Sequence, residues 1–145
     1  MKKIIANKKA KKRGFTAGAW DLLHAGHMLL FKEAKDNCDY LIIGLHRDPS
    51  QERPHKNSPV LSVKERRILL EGCRYIDEIV EYDTEADLLL LLKTLNLDIR
   101  FMGDDYLTST SYTGYGLPIH MHYVDRSHGF SSSGVRKRVE SKKSK

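Results

Sequence analysis

Short apolar runs alternate with amphipathic stretches along the chain. Residues 14–19 (GFTAGA) read as a strand ending at a glycine. Residues 27–36 set Met28, Leu29, Leu30, Phe31 and Ala34 against Lys32, Glu33 and Lys35, a helical stripe. Residues 39–46 (DYLIIGLH) form a continuous apolar run, which suits a strand buried on both faces. The polar stretch 47–59, with Pro54 and Pro59, predicts a loop. Ser62 followed by Glu65 predicts a capping box opening a helix, with Val63, Ile68, Leu69 and Cys73 as its apolar face. Residues 76–82 alternate as a strand, and Thr84 caps a helix over 85–95. Residues 98–102 form a strand ending at Gly103, followed by a polar loop over 104–117. A strand over 118–124 follows, and Ser131–Ser133 open a last helix with Val135 and Val139 inward.

This β-α-β-loop-α-β-α-β-loop-β-α order predicts an α/β fold, a Rossmann-like parallel sheet flanked by helices. In such folds ligands sit beyond the carboxyl ends of the strands. The residues just after each strand are therefore the ones to inspect.

Composition fits one globular domain: 145 residues, 40% apolar and 30% charged. The net charge of +6 invites a nucleic-acid or acidic-membrane reading until it is located along the chain. Residues 1–13 carry seven basic side chains and no acid, and residues 134–145 carry six against Glu140. The stretch between holds 12 basic and 18 acidic residues, so the body is acidic and its ends are basic. We expect basic tails over 1–12 and 141–145 around a domain at 13–140. The tails can make weak anionic-surface contacts, but no specific nucleic-acid partner is implied. The longest apolar run, Leu88–Leu92, is far short of a membrane span, and Ile4-Ile5-Ala6 is no signal-peptide core. Cys38 and Cys73 lack metal spacing and read as reduced thiols, which points to a cytoplasmic protein.

The densest chemistry follows the first strand, in Gly18-Ala19-Trp20-Asp21-Leu22-Leu23-His24-Ala25-Gly26-His27. Two imidazoles converge where a helix N-terminus favours an anion, and Gly26 leaves room for a nucleotide. Two histidines three apart can also be surface residues or metal ligands from one helix face, but no third ligand is near in sequence.

This segment resembles the HxGH motif of the nucleotidyltransferases, and especially of the cytidylyltransferase family. Arg74-Tyr75-Ile76-Asp77-Glu78-Ile79 is similar to the RYVDEV element of the glycerol-3-phosphate cytidylyltransferases. Met102-Gly103-Asp104-Asp105 is similar to their MGDD segment. Arg126-Ser127-His128-Gly129-Phe130-Ser131-Ser132-Ser133 is similar to their RTEGISTT element, with serines at the two threonine positions. The same HxGH motif occurs in class I aminoacyl-tRNA synthetases, but this chain is too short for one and its last motif is not KMSKS-like.

The resemblance implies transfer of CMP from CTP, with Mg²⁺, to a small phosphorylated alcohol such as glycerol 3-phosphate, with release of pyrophosphate. An adenylyltransferase using ATP and a sugar phosphate is the alternative. A polyanion-binding protein acting through its basic tails is the non-enzymatic one. The resemblance also implies a homodimer. It implies catalytic roles for His24, His27, Lys56 and Arg126, with Arg53 as the rival of Lys56. Gly18, Ala19, Trp20, Gly26, Arg74, Gly103, Ser131, Ser132 and Ser133 would bind the nucleotide, and Asp21, Asp104 and Asp105 the acceptor. No protein metal ligand is implied. Ser131 can instead be a helix cap, Arg74 an ion-pair partner of Asp77 or Glu78, and the three aspartates turn formers. Ala19 stands where the family has threonine, and Tyr106, Tyr112 and Tyr115 offer faces that suit a quaternary ammonium.

Overall fold

The computed structural model describes residues 11–143. Five strands form one sheet: β1 (Arg13–Gly18), β2 (Tyr40–His46), β3 (Glu78–Tyr82), β4 (Ile99–Gly103) and β5 (His120–Val124). Their order is β3-β2-β1-β4-β5, and every pairing is parallel. Four helices connect and cover them: α1 (Ala25–Asp36), α2 (Val63–Glu71), α3 (Glu85–Thr94) and α4 (Ser132–Lys143). The chain builds outward from β1 to β3, then crosses back to place β4 on the other side of β1. The gap between the carboxyl ends of β1 and β4 is therefore the topological switch point, where ligands bind in open α/β sheets.

The alternation in β2 shows why this sequence covers both faces. Leu41, Ile43 and Leu45 pack with Phe31, Ala34, Leu70 and Phe101 on one side. Ile42 packs with Phe15, Tyr82, Leu88 and Leu92 on the other. Helix starts follow the sequence closely. Ser62 Oγ accepts from Glu65 N at 3.1 Å while Glu65 Oε1 accepts from Ser62 N at 3.0 Å. Thr84 and Asp87 repeat that reciprocal box, and such caps stabilise a helix by about 1 kcal/mol each.

Three expectations change. Ile68 and Leu69 do not face the core, being 56% and 46% exposed; the inward positions of α2 are Arg66 and Leu70, with Val63 and Cys73 packed alongside. Val139 is 61% exposed, so of the two valines only Val135 is partly covered. Helix α4 continues to Lys143, past the boundary at 140. Of the amino-terminal tail, residues 1–10 lie outside the described residues, and Lys12 is already tied to the body through Asp39. Cys38 and Cys73 are both free thiols.

Candidate active site

His24 caps α1. Its Nδ1 accepts from Gly26 N at 3.0 Å, and His27 Nδ1 accepts from His24 N at 3.3 Å. The two rings stack with centroids 3.8 Å apart. The third imidazole is His128, whose Nδ1 accepts from Phe130 N at 2.9 Å. A ring whose Nδ1 accepts must carry its proton on Nε2. All three rings line one cavity of about 410 Å³, each with an Nε2–H free of any protein acceptor among the described residues. This tautomer opposes metal ligation through Nε2 and favours donation to an anion. The Gly26 N–H at the helix start is taken by His24 itself.

His24 and His27 are held toward the neutral form. Burial pushes the His27 pKa down to about 3, helped by His24 and Arg126. Burial also lowers His24, followed by His128 and Arg126. Gly26 makes room for these rings and lines the same cavity. A Cβ there would stand 2.9 Å from His24 Cε1 and 3.0 Å from His128 Cε1. Gly103 has a like role for Arg126, whose Cδ would lie 2.5 Å from an added Cβ.

Two side chains organise the loops around the cavity. Asp21 is 8% exposed; its carboxylate accepts from Val60 N at 2.7 Å, Leu61 N at 2.9 Å and Arg136 Nη2 at 3.1 Å. Ser132 Oγ also donates to the Asp21 carbonyl at 3.1 Å. Asp21 is thus a positioning residue that ties the 47–61 loop to α4, and it also lines the opening that holds Lys56 and Arg136. Arg66, 1% exposed, donates to the carbonyls of Leu61, Ala19, His46 and Arg47 and so binds the ends of β1 and β2 to the entry of α2. Trp20 and Leu22 have φ of 54° and 49°, strained values for residues with side chains. Trp20 is held there by its indole N–H, which donates to Gly44 O at 2.9 Å. Its ring meets His27 edge-on at 5.4 Å.

Three adjoining openings receive the expected residues. His24, Gly26, His27, Gly103, Arg126 and Ser131–Ser133 line the first, with Trp20. Lys56, Ala19, His27, Ser132, Ser133 and Arg136 line a second, of about 450 Å³. Gly18, Ala19, Lys56 and Arg53 line a third, of about 730 Å³, which shares Ala17, Arg100, Met102 and Tyr106 with the first. Ser131 is also a cap, accepting from Gly134 N at 3.0 Å.

Asp104 and Asp105 line none of these openings. They form a short turn after β4, and Asp105 contacts Arg126 at 3.4 Å. Arg74 is not brought in either. It lies ahead of β3 at the amino end of the sheet, donating to the Tyr75 hydroxyl and lying over that ring at 5.0 Å, with neither Asp77 nor Glu78 as partner. The reading of the sequence missed His128, Arg66, Arg100 and Arg136 as site residues. Arg100 carried a signal, a charge inside a strand that the pattern buries.

The pattern of the family described as Cytidylyltransferase-like matches residues 15–138, which includes all three imidazoles. The chain belongs to this family. As a cytidylyltransferase-like protein it is 31% identical to the bifunctional protein HldE of Campylobacter concisus over 144 residues, 99% of this chain and 30% of that one. It is 47% identical to a probable ethanolamine-phosphate cytidylyltransferase of Encephalitozoon cuniculi over 73 residues, 48% of this chain and 23% of that one. The cytidylyltransferase-like chain thus spans less than a third of the length of these curated relatives. The fold matches a crystal structure of a lipopolysaccharide core biosynthesis protein from Thermoplasma volcanium with a TM-score of 0.65 at 22% identity, covering 79% of this chain and 97% of that one.

Proposed function

We propose that the chain transfers CMP from CTP to a small phosphorylated alcohol. An oxygen of the acceptor phosphate attacks the α-phosphorus in line, the bond from that phosphorus to the bridging oxygen breaks, and pyrophosphate leaves. The acceptor is largely a dianion near neutral pH, since the second phosphate pKa is about 6, so no general base is needed. The site must align the reactants and stabilise charge. The observation that carries this reading is the cluster of three imidazoles with like-oriented protonation, His24, His27 and His128, beside Arg126. Three Nε2–H donors suit the oxygens of a five-coordinate α-phosphorus. Ser132, Ser133, Arg136 and Lys56, which line the adjoining opening, suit the β- and γ-phosphates.

Mg²⁺ belongs to this reading as the companion of the triphosphate. No carboxylate among the described residues lines the imidazole cavity, and Asp21 lines the adjoining opening. His46, Glu52 and Glu85 do cluster elsewhere among the described residues. Glu85 is already held by Arg53 and Thr113, and Glu52 accepts from the Glu85 N–H, so that group is a hydrogen-bonded network.

The test is pyrophosphate release with CTP or ATP against a panel of phosphorylated alcohols. We expect activity with CTP, and a loss of about 100-fold in His24→Ala. Activity with ATP alone overturns the choice of base, and undiminished activity in His24→Ala overturns the mechanism. A homodimer and a cytoplasmic location accompany the proposal; sedimentation tests the first. No helix among the described residues is long and apolar enough to cross a membrane. If transfer survives deletion of residues 2–12, that basic tail is accessory; polyanion binding without any transfer favours the non-enzymatic alternative.

A further inference from the structure

The 730 Å³ opening carries a selectivity of its own. At its junction with the imidazole cavity stands Arg100, 5% exposed. Its Nη1 donates to Thr113 O at 2.5 Å, and its guanidinium lies over Tyr112 at 5.4 Å. Nε is buried with no acceptor, Nη2 takes none among the described residues, and Glu85 acts on the group only from beyond ion-pair distance. A buried guanidinium left this incomplete is costly unless an anion completes it.

The rest of the opening disfavours a cation. Glu85 is the one carboxylate among the described residues lining it. Its Oε1 already accepts from Arg53 at 3.0 Å and Thr113 Oγ1 at 2.8 Å. The face of Tyr112 that would receive a quaternary ammonium is occupied by Arg100, and Tyr106 and Tyr115 pack edge-on against that ring. What remains is hydroxyl-rich, with Ser111, Tyr112 and Thr113.

We propose that this opening holds the acceptor, that Arg100 binds its attacking phosphate, and that the charge pattern selects phosphorylated polyols and sugars over phosphorylated amino alcohols. This rests on the transfer reading for the identity of the phosphate as nucleophile. An acceptor phosphate entering here meets the α-phosphate at Arg100, because that residue lines both cavities. An ammonium on the acceptor would instead face Arg53, whose guanidinium already draws on Glu85, the one carboxylate there among the described residues.

The experiment compares glycerol 3-phosphate and a hexose 1-phosphate with phosphoethanolamine and phosphocholine. We expect kcat/KM with CTP to favour the better of the first pair by about 100-fold. Arg100→Gln raises the acceptor KM by about 10- to 100-fold and leaves the CTP KM within about threefold, as for loss of a charged hydrogen bond. Arg53→Ser, which removes the cation paired with Glu85 and does not disturb the buried strand, narrows the preference against phosphoethanolamine by about tenfold. Wild-type preference for phosphoethanolamine, or an Arg53→Ser variant with unchanged discrimination, overturns the proposal. So does a folded Arg100→Gln variant that affects CTP and not the acceptor. Calorimetric titration of the wild-type protein with glycerol 3-phosphate and phosphoethanolamine separates the two readings. Selective binding of the former supports the acceptor opening even where no triphosphate is turned over, an outcome that overturns the transfer reading alone. Equal binding, or none by either at millimolar concentration, overturns the selectivity itself.

Discussion

His27→Gln isolates a proton-linked contribution to stability. The His27 ring is packed between His24 and Trp20, and its pKa is pushed down to about 3 by burial first, then by His24 and Arg126. In the unfolded chain the same ring titrates near 6.5, so between these values the unfolded state binds a proton that the folded state refuses. Stability is therefore full above about pH 6.5 and falls as the pH drops toward 3, by up to about 1.4 kcal/mol per pH unit. Integrated from pH 6 to pH 4, the loss through this one residue is about 2.5 kcal/mol. Glutamine has no such proton, and the carboxylates that also shape acid stability are common to both proteins. Urea denaturation at pH 4, 5 and 6 should show wild type losing about 2.5 kcal/mol relative to His27→Gln. Parallel curves, with a difference constant to within about 0.5 kcal/mol, would refute the buried neutral imidazole. The same reasoning assigns the acid limb of any activity profile to the acceptor phosphate, with its pKa of about 6, and not to His27.

Gly26→Ala should separate stability from activity. The helix gains up to about 1 kcal/mol of propensity, while the crowded His24 and His128 rings shift and pyrophosphate release falls at least about tenfold; a fully active variant contradicts the ring packing. Asp21→Ala removes both backbone acceptors for the 47–61 loop and the partner of Arg136. A stability loss of about 2–4 kcal/mol in chemical denaturation is expected together with a raised CTP KM; a change below about 0.5 kcal/mol would be inconsistent with its three bonds. Lys56→Ala, at an exposed position, should leave the melting temperature unchanged and lower kcat/KM by at least about tenfold, and unchanged kinetics would remove Lys56 from the site.

Helix starts, the succession of strands and helices along the chain and the HxGH segment were legible because each is local. A capping box needs only Ser62 and Glu65 at the right spacing, and β2 shows its burial as an unbroken apolar run. The face of α2 was misread because apolar identity was given more weight than period. Val63, Arg66, Leu70 and Cys73 recur at intervals of three, four and three, which is the buried stripe, and it contains an arginine. Arg66 belongs inside because four carbonyls from separate loops converge on it, and no sequence window displays that convergence. His128 was passed over for a related reason. It lies 101 positions from His27, and only the switch point between β1 and β4 brings the two together. Arg74 failed in the opposite direction, since a motif that matches in sequence says nothing about which end of the sheet its side chain occupies.

The chain's net positive charge bears little on this chemistry. Three imidazoles crowded into one cavity cannot all be cationic, and His24 and His27 are indeed held toward the neutral form. Their use lies in oriented dipoles, fixed by backbone N–H groups before any ligand arrives, and such preorganised donors are most effective where water is excluded. Formal charge enters through a few placed groups: Arg126 beside the rings, Arg100 beneath the junction, and Lys56 and Arg136 at the neighbouring opening. The last two are linked through Asp21, which grips the loop bearing Lys56 and the helix bearing Arg136 at once. Asp21 thus holds the Arg136 guanidinium directly, and for Lys56 it fixes only the backbone of the loop, the lysine side chain itself staying exposed. Under the proposed transfer, a triphosphate would meet the Arg136 charge already in place, and the conformational entropy of ordering that long side chain is reduced before binding.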